Sequence, residues 1–279
     1  MKRYFSCFFC LFEFYPRNHS LRIRKLKLGD DDLSVSETLH NLSKLYDNKN
    51  EYDKAIVCFK ESIRVKRLNL GDNHNSVADT LVNIGSSHEK NDNNEGAIEC
   101  YKEVMRIREI NNGCNDESVA FVANKLGKVY EKMAKYEDAI IFFEQALSIY
   151  EINLEKNESN VIKLTSRLAT AYDNYGDFEK SIEYYRELTK MKKKKLGDNH
   201  EDVANLFFVI GNLFAKNDDF NKSVAYFNQA LNIRQKKYGK KHISVANTLV
   251  RVKVISILFH CIEIPNIFLF LSTCSTIWG

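Results

Sequence analysis

Proline is almost missing from this sequence: its 279 residues contain two, Pro16 and Pro265, both near the ends. The long middle stretch therefore holds no residue that forbids a helix interior. An excess of one charge sign is missing as well. The 41 basic and 37 acidic residues leave a formal charge of +4, which gives no electrostatic warrant for nucleic-acid binding. Gly-rich phosphate loops, paired metal-ligand motifs and nucleophile elbows are absent. Lone serines, histidines and carboxylates abound, but nothing in the spacing fixes them into a catalytic geometry. The expectation is a non-enzyme with no cofactor and no metal. The 7 cysteines are an odd number, spread widely, which fits reduced thiols and a cytoplasmic location better than a disulfide framework. What is present, 44% hydrophobic and 28% charged residues, suffices for a sizeable core and excludes disorder by composition.

Internal repetition organises the chain. Val35, Val77, Val119, Val161, Val203 and Val245 recur every 42 residues without insertion or deletion. The same register carries apolar Leu42, Ile84, Leu126, Leu168 and Ile210, each followed by a small residue: Ser43, Gly85, Gly127, Ala169 and Gly211. Three positions later stand Tyr46, His88, Tyr130, Tyr172 and Phe214. Later in each repeat a small column, Ala55, Ala97, Ala139, Ser181 and Ser223, precedes an aromatic one, Phe59, Tyr101, Phe143, Tyr185 and Phe227.

These columns specify a helix-turn-helix unit. Leu39, Leu42 and Tyr46 fall on one face of a first helix, and Ala55, Ile56, Phe59 and Ile63 on one face of a second. The small columns let two helix backbones approach, and the aromatic columns fill the space beside them. Immediately before the repeated valines stand Ser34, Ser76, Ser118, Asn160, Asp202 and Ser244, side chains able to accept from a helix's orphan N–H groups, so six helices are expected to start there. Gly29, Gly71, Gly197 and Gly239 stand where the second helices end in a left-handed residue. The third repeat lacks this glycine at Leu154-Glu155-Lys156-Asn157, and Asn157 is expected to take the left-handed position.

With these columns in place, the unit resembles a tetratricopeptide repeat of the 42-residue kind found in kinesin light chains and nephrocystin-3-like proteins. "VADTLVNIGSSHEKNDNNEGAIECYKEVMRIR" carries the likeness in one repeat and "VANLFFVIGNLFAKNDDFNKSVAYFNQALNIRQKKYGKKH" in another. The resemblance implies an all-α, right-handed α-α superhelix of antiparallel helix pairs, with about five full repeats and partial repeats at both ends. It also implies a protein–protein interaction scaffold or adaptor, whose first helices line a concave groove that takes peptide segments or partner helices. The register assigns that groove to His40, Lys44, Val82, Ser86, Asn124, Lys128, Ser166, Thr170, Phe208 and Asn212. Kinesin-light-chain repeats often carry paired asparagines just before the leucine. Here Asn124 matches one position and Asn41 and Asn83 the other, while Lys125 and Arg167 replace the second asparagine. The replacements make the groove more basic, suited to acidic peptides containing an aromatic residue. A kinesin light chain also needs a heptad region to join its heavy chain, which leaves motor association open.

Other features read as structural. His74, His200 and His242 share a column but belong to successive loops, unlike the close ligand pairs of a zinc site. Cys7 and Cys10 form an isolated Cys-x-x-Cys without the context of a redox or zinc motif. Cys58 and Cys100 share a helix column and read as packing residues. The run Lys190, Lys192, Lys193, Lys194 and Lys195 has the composition of a nuclear-localisation or anionic-lipid patch, but it also closes a second helix, where cations favour the macrodipole.

The register divides the chain into a non-repeat segment at 1–19, an array at 20–252 with repeats starting near 35, 77, 119, 161 and 203 and a partial one at 245, and an apolar tail at 253–279. Residues 1–15 have the look of a weak signal sequence, opposed by Glu13 and the lack of a cleavage site. Residues 254–278 are apolar enough to suggest a membrane segment, opposed by Glu263 and Pro265. A capping helix over the last repeat is the competing reading of the tail. Ends foreign to a fragment of a longer repeat protein are another. The functional alternative to the soluble adaptor is therefore a membrane-tethered scaffold anchored by that tail.

Overall fold

The computed structural model describes residues 19–152 and 154–258, and all regular structure among them is helical. Helix α1 includes residues 19–28. It is followed by α2 Leu33–Asn48, α3 Tyr52–Leu70, α4 Asn75–Lys90, α5 Asn94–Asn112, α6 Glu117–Lys132, α7 Tyr136–Glu151, α8 Leu154–Tyr175, α9 Phe178–Leu196, α10 Glu201–Lys216 and α11 Phe220–Tyr238. The helix at 243–258 is α12. Even-numbered helices carry the repeated valines, odd-numbered ones from α3 to α11 the second small and aromatic columns. The chain forms two compact units divided between Asn157 and Glu158, within α8. In the first, α2 packs on α3, α4 on α5 and α6 on α7. In the second, α10 packs on both α9 and α11.

The helix starts differ from the sequence expectation by two residues. Asp32, His74, Asp116 and His200 are the N-caps, and their side chains accept from the backbone N–H of Ser34, Ser76, Ser118 and Asp202. His242 accepts from Ser244 in the same way. The residues before the valines thus supply the capped donors rather than the caps. The spacing hides this because two polar columns, two residues apart, both suit a cap. The column histidines His74, His200 and His242 cap helices through Nδ1.

The helix ends use glycine at Gly71, Gly113, Gly197 and Gly239, with φ near +80 to +90 and ψ near 160 to 167. This is a positive-φ conformation that side chains with a Cβ rarely adopt, more extended than the expected left-handed helical one. Gly113 belongs to the column with the others. The third repeat departs further than expected. With no glycine to stop the chain, α8 begins at Leu154, so Asn160 lies inside the helix and starts nothing. Asn157 is also helical; its side chain is buried and donates to Glu117 at 3.1 Å.

Within each repeat the first helix closes with a Schellman turn. The carbonyl of the aromatic-column residue accepts the N–H five positions on, as in Lys135 N–H to Tyr130 at 3.0 Å and Asp219 N–H to Phe214 at 2.9 Å. The left-handed position in these turns is held by Asn50, Asp92, Ala134, Gly176 and Asp218. Just before it, the small column meets the aromatic one. A Cβ added at Gly127 would lie 2.5 Å from the Phe143 ring, at Gly85 2.6 Å from Tyr101, and at Gly211 2.9 Å from Phe227. The small residue therefore makes room for an aromatic ring more than for a backbone. The second small column does meet backbone: Ser181 donates to Ala169 O and Ser223 to Gly211 O, both at 2.8 Å.

Consecutive repeats are joined by a buried or half-buried cation, a column not singled out in the sequence. Arg24 donates to Ser34 O and Thr38, Lys66 to Ser76 O and Thr80, Arg108 to Ser118 O, and Arg234 to Thr248. Lys192 occupies the same column and pairs with Asp202 at 2.9 Å. Tyr150 replaces the cation in the third repeat, the one that also lacks the glycine.

Candidate functional site

On each first helix, the residues at positions 39 and 42 of the register are buried, and those at 40 and 44 lie half-buried at the edge of the packed face, save Lys44. In the first unit His40, Val82, Ser86, Asn124 and Lys128 are half-buried and Lys44 is exposed. His40 sits edge-on to Phe59, with ring centroids 5.3 Å apart, and 3.5 Å from the Thr80 hydroxyl. Burial, then the charges of Lys66 and Lys44, push its pKa down to about 4, so His40 is neutral at pH 7.

Around Ser86 the face is a polar network. The Ser86 hydroxyl lies 3.1 Å from the Tyr101 hydroxyl, which donates to Glu89. The Lys125 ammonium reaches Ser86 at 3.4 Å and Glu89 at 3.5 Å, and stands over the Tyr101 ring. Burial, followed by the hydrogen bond to Glu89, raises the Tyr101 pKa, so the phenol keeps its proton. Lys125, read from the sequence as a source of basic character, is thus largely answered by Glu89. Asn124 keeps one buried acceptor, Oδ1, without a hydrogen-bond partner.

In the second unit Ser166, Thr170, Phe208 and Asn212 are half-buried on the equivalent face. The Thr170 hydroxyl donates to Ser166 O at 3.0 Å and lies 3.2 Å from the Tyr185 hydroxyl. Phe208 packs against Phe227 at 5.1 Å, with the Arg234 guanidinium over its ring. Asn212 lines a cleft of about 480 Å³ together with Asp173, Val209, Lys216 and Arg251. Lys216 and Asp173 are paired at 2.6 Å, and Arg251, in the column of Lys125 and Arg167, has no ion-pair partner among the described residues.

Two columns beside the expected positions also belong to this face. Asp47, Glu89 and Asp173 form an acidic column, and Lys90, Lys132 and Lys216 a basic one a position later. Lys90 pairs with Asp47, Lys216 with Asp173, and Lys132 bonds Glu89 O at 3.3 Å. The 42-residue spacing of both columns was the signal that would have found them.

The remaining motifs resolve as structure. Lys192, Lys193 and Lys195 pair with Asp202, Asp198 and Glu158. Cys58 and Cys100 occupy the column where Phe142, Tyr184 and Tyr226 stack on Tyr130, Tyr172 and Phe214. Burial raises both thiol pKa values, that of Cys100 to about 11. Cys7, Cys10, the signal-like residues 1–15 and the tail beyond Leu258 lie outside the described residues. Among the described residues, no helix is long and apolar enough to cross a membrane.

Known proteins share this architecture. Tetratricopeptide repeat family models match residues 35–76, 76–152 and 160–236. No curated protein matches the chain. Among solved structures, a candidate kinesin light chain from Podosopora anserina with nearly identical TPR-like repeats is similar at 16% identity and a TM-score of 0.60, covering 74% of this chain and 98% of that one. BtubC (BKLC) from P. vanneervenii is similar at 16% identity and a TM-score of 0.57, covering 82% and 92%. Aspartyl phosphate phosphatase F from Bacillus subtilis is similar at 16% identity and 0.54, covering 91% and 64%. At these identities the likeness is one of fold.

Proposed function

The chain belongs to the tetratricopeptide repeat family, and we propose that it is a non-catalytic adaptor which takes peptide segments of other proteins on the uncovered faces of its first helices. Repeats of this family mediate protein–protein interaction, and the chain is a protein-interaction scaffold. The finer reading assigns His40, Lys44, Val82, Ser86, Asn124 and Lys128 to the binding face of the first unit, and Ser166, Thr170, Phe208 and Asn212 to that of the second. The observation that carries it is the cleft lined by Asn212, Val209, Leu213 and Arg251, where Arg251 has no ion-pair partner among the described residues and stands beside apolar side chains. That combination suits an acidic peptide containing an aromatic residue, of the kind the kinesin-light-chain resemblance implies.

The test is binding of the full chain to a library of short peptides, read by fluorescence polarisation. Acidic, aromatic-containing peptides are expected to be selected. Asn212→Ala and Arg251→Ala should each weaken them about tenfold or more, the loss of a charge-assisted or buried hydrogen bond, and His40→Ala and Lys128→Ala map the first unit's face. No selection by a folded chain would remove the groove reading and leave the scaffold to bind through another surface.

A further inference from the structure

The second unit presents a basic rim away from the proposed peptide face. Helices α9 and α11 end at equivalent positions, Leu196 and Tyr238, each followed by glycine and a short turn into the next first helix. Both helices pack on α10, and near their ends both meet its first turn, through Lys192–Asp202 and Arg234–Glu201, so the two turns emerge at one end of the unit. Lys194, Lys236, Lys240 and Lys241 are exposed there, and none has an ion-pair partner among the described residues. The nearby acids are already engaged: Asp202 by Lys192, Asp198 by Lys193, Glu158 by Lys195.

Apolar side chains stand exposed among these lysines. Leu196 and Tyr238 are each 39% exposed and Ile243 is 69% exposed. Tyr238 stacks on His242 at 4.4 Å, with the Lys237 ammonium over its ring. The corresponding turns of the first unit keep the apolar tips, Leu28, Leu33 and Leu70, but set them beside Asp30, Asp31 and Asp72, which pair with Lys25, Arg64 and Arg67, and the N-cap Asp32. The charge at this rim thus varies between the units, and the cluster of lysines is in the second.

We propose that this rim is a docking surface for an anionic membrane. Lysines are flexible point charges that read charge density rather than the paired geometry of a single carboxylate or phosphate, and lysines beside anionic headgroups are attracted to them. Leu196, Tyr238 and Ile243 are exposed at the helix termini, where an interfacial layer would bury them. An acidic polypeptide or a nucleic acid would answer the lysines and leave these tips in water, which favours the membrane.

Cosedimentation of the full chain with phosphatidylcholine vesicles, with and without phosphatidylserine, tests this. Binding is expected only with phosphatidylserine and should weaken as salt rises. At about fivefold per surface lysine, the combined variant Lys194→Glu, Lys236→Glu, Lys240→Glu and Lys241→Glu should lose about a hundredfold or more, while the matching arginine variant retains binding. An unchanged thermal melt keeps both variants interpretable. Ile243→Ser with Tyr238→Ser should weaken binding without changing its salt dependence. Equal binding to neutral vesicles would assign attachment to the apolar tail and overturn the proposal. So would indifference to charge reversal, no binding at all, or tighter binding of poly-glutamate or a single-stranded oligonucleotide than of the anionic vesicles.

Discussion

The two units share one template and differ in what they show to solvent. Residues 19–157 carry 20 Lys and Arg against 24 Asp and Glu, whereas residues 158–258 carry 18 against 11. Their buried columns hardly differ: Val35, Val77 and Val119 in the first and Val161 and Val203 in the second are all fully buried. A repeat contacts mainly its neighbours, so only the packing columns are shared by necessity. The exposed turns can take either charge, and partner choice resides there and on the first-helix faces.

Substitutions at equivalent positions can break this comparison. The largest effect is expected at Arg234, whose buried guanidinium bonds Asn205 at 2.6 Å, Thr248 at 2.7 Å and Glu201 at 3.3 Å. Arg234→Ala leaves a partly buried carboxylate unanswered and should cost about 3 kcal/mol in urea unfolding. Lys66→Ala in the first unit, which loses Thr80 and Ser76 O but no carboxylate within bonding distance, should cost less, about 1–2 kcal/mol. Equal losses would show that the two cations are the same clamp regardless of charge pairing.

Next comes overpacking. Gly127→Leu should destabilise by roughly 1–3 kcal/mol, because the Phe143 ring must move. Gly211→Leu should cost less, since its ring starts farther away, 2.9 Å against 2.5 Å. An unchanged melting temperature in both would contradict the register itself. Smaller still is the turn effect. Ala134 holds φ +56 and its equivalent Gly176 holds φ +96, so Ala134→Gly should stabilise and Gly176→Ala destabilise, each by about 1 kcal/mol.

A separate signal, seen only on acidification, is the pH response of His40. Its folded pKa, about 4, lies below the ordinary 6.5, so the unfolded chain takes up the proton first. His40 therefore costs stability progressively as pH falls from 6.5 toward 4. Paired unfolding curves of the wild type and His40→Gln over that window should converge in slope at higher pH and diverge below it, the wild type losing more. Parallel curves would mean that His40 is protonated in the fold.

Much of this architecture was legible because packing at a fixed repeat length leaves a periodic trace. Gly127 and Phe143 are 16 residues apart and Ser181 lies 12 beyond Ala169, so each pair could be read as a column before its contact was known. The caps were misplaced by two residues because Asp32 and Ser34, or Asp116 and Ser118, are both good cap residues, and only the backbone decides which one stands outside the helix. The third junction was misread for a different reason. Losing a glycine permits a helix to start early, but it does not say where, and Asn157 became buried against Glu117 through a contact 40 residues away.

The sequence by itself determined the helix pairs, their length and which faces they bury, since these follow from a 42-residue period and from short-range preferences of glycine, small and aromatic residues. Only the tertiary structure decided which charges are spent. Lys125 and Lys192 look alike in the sequence to Lys194 and Arg251, yet Glu89 and Asp202 answer the first two and nothing among the described residues answers the others. Charge pairing depends on side chains brought together from adjacent repeats, and that distance is set by packing rather than by spacing along the chain.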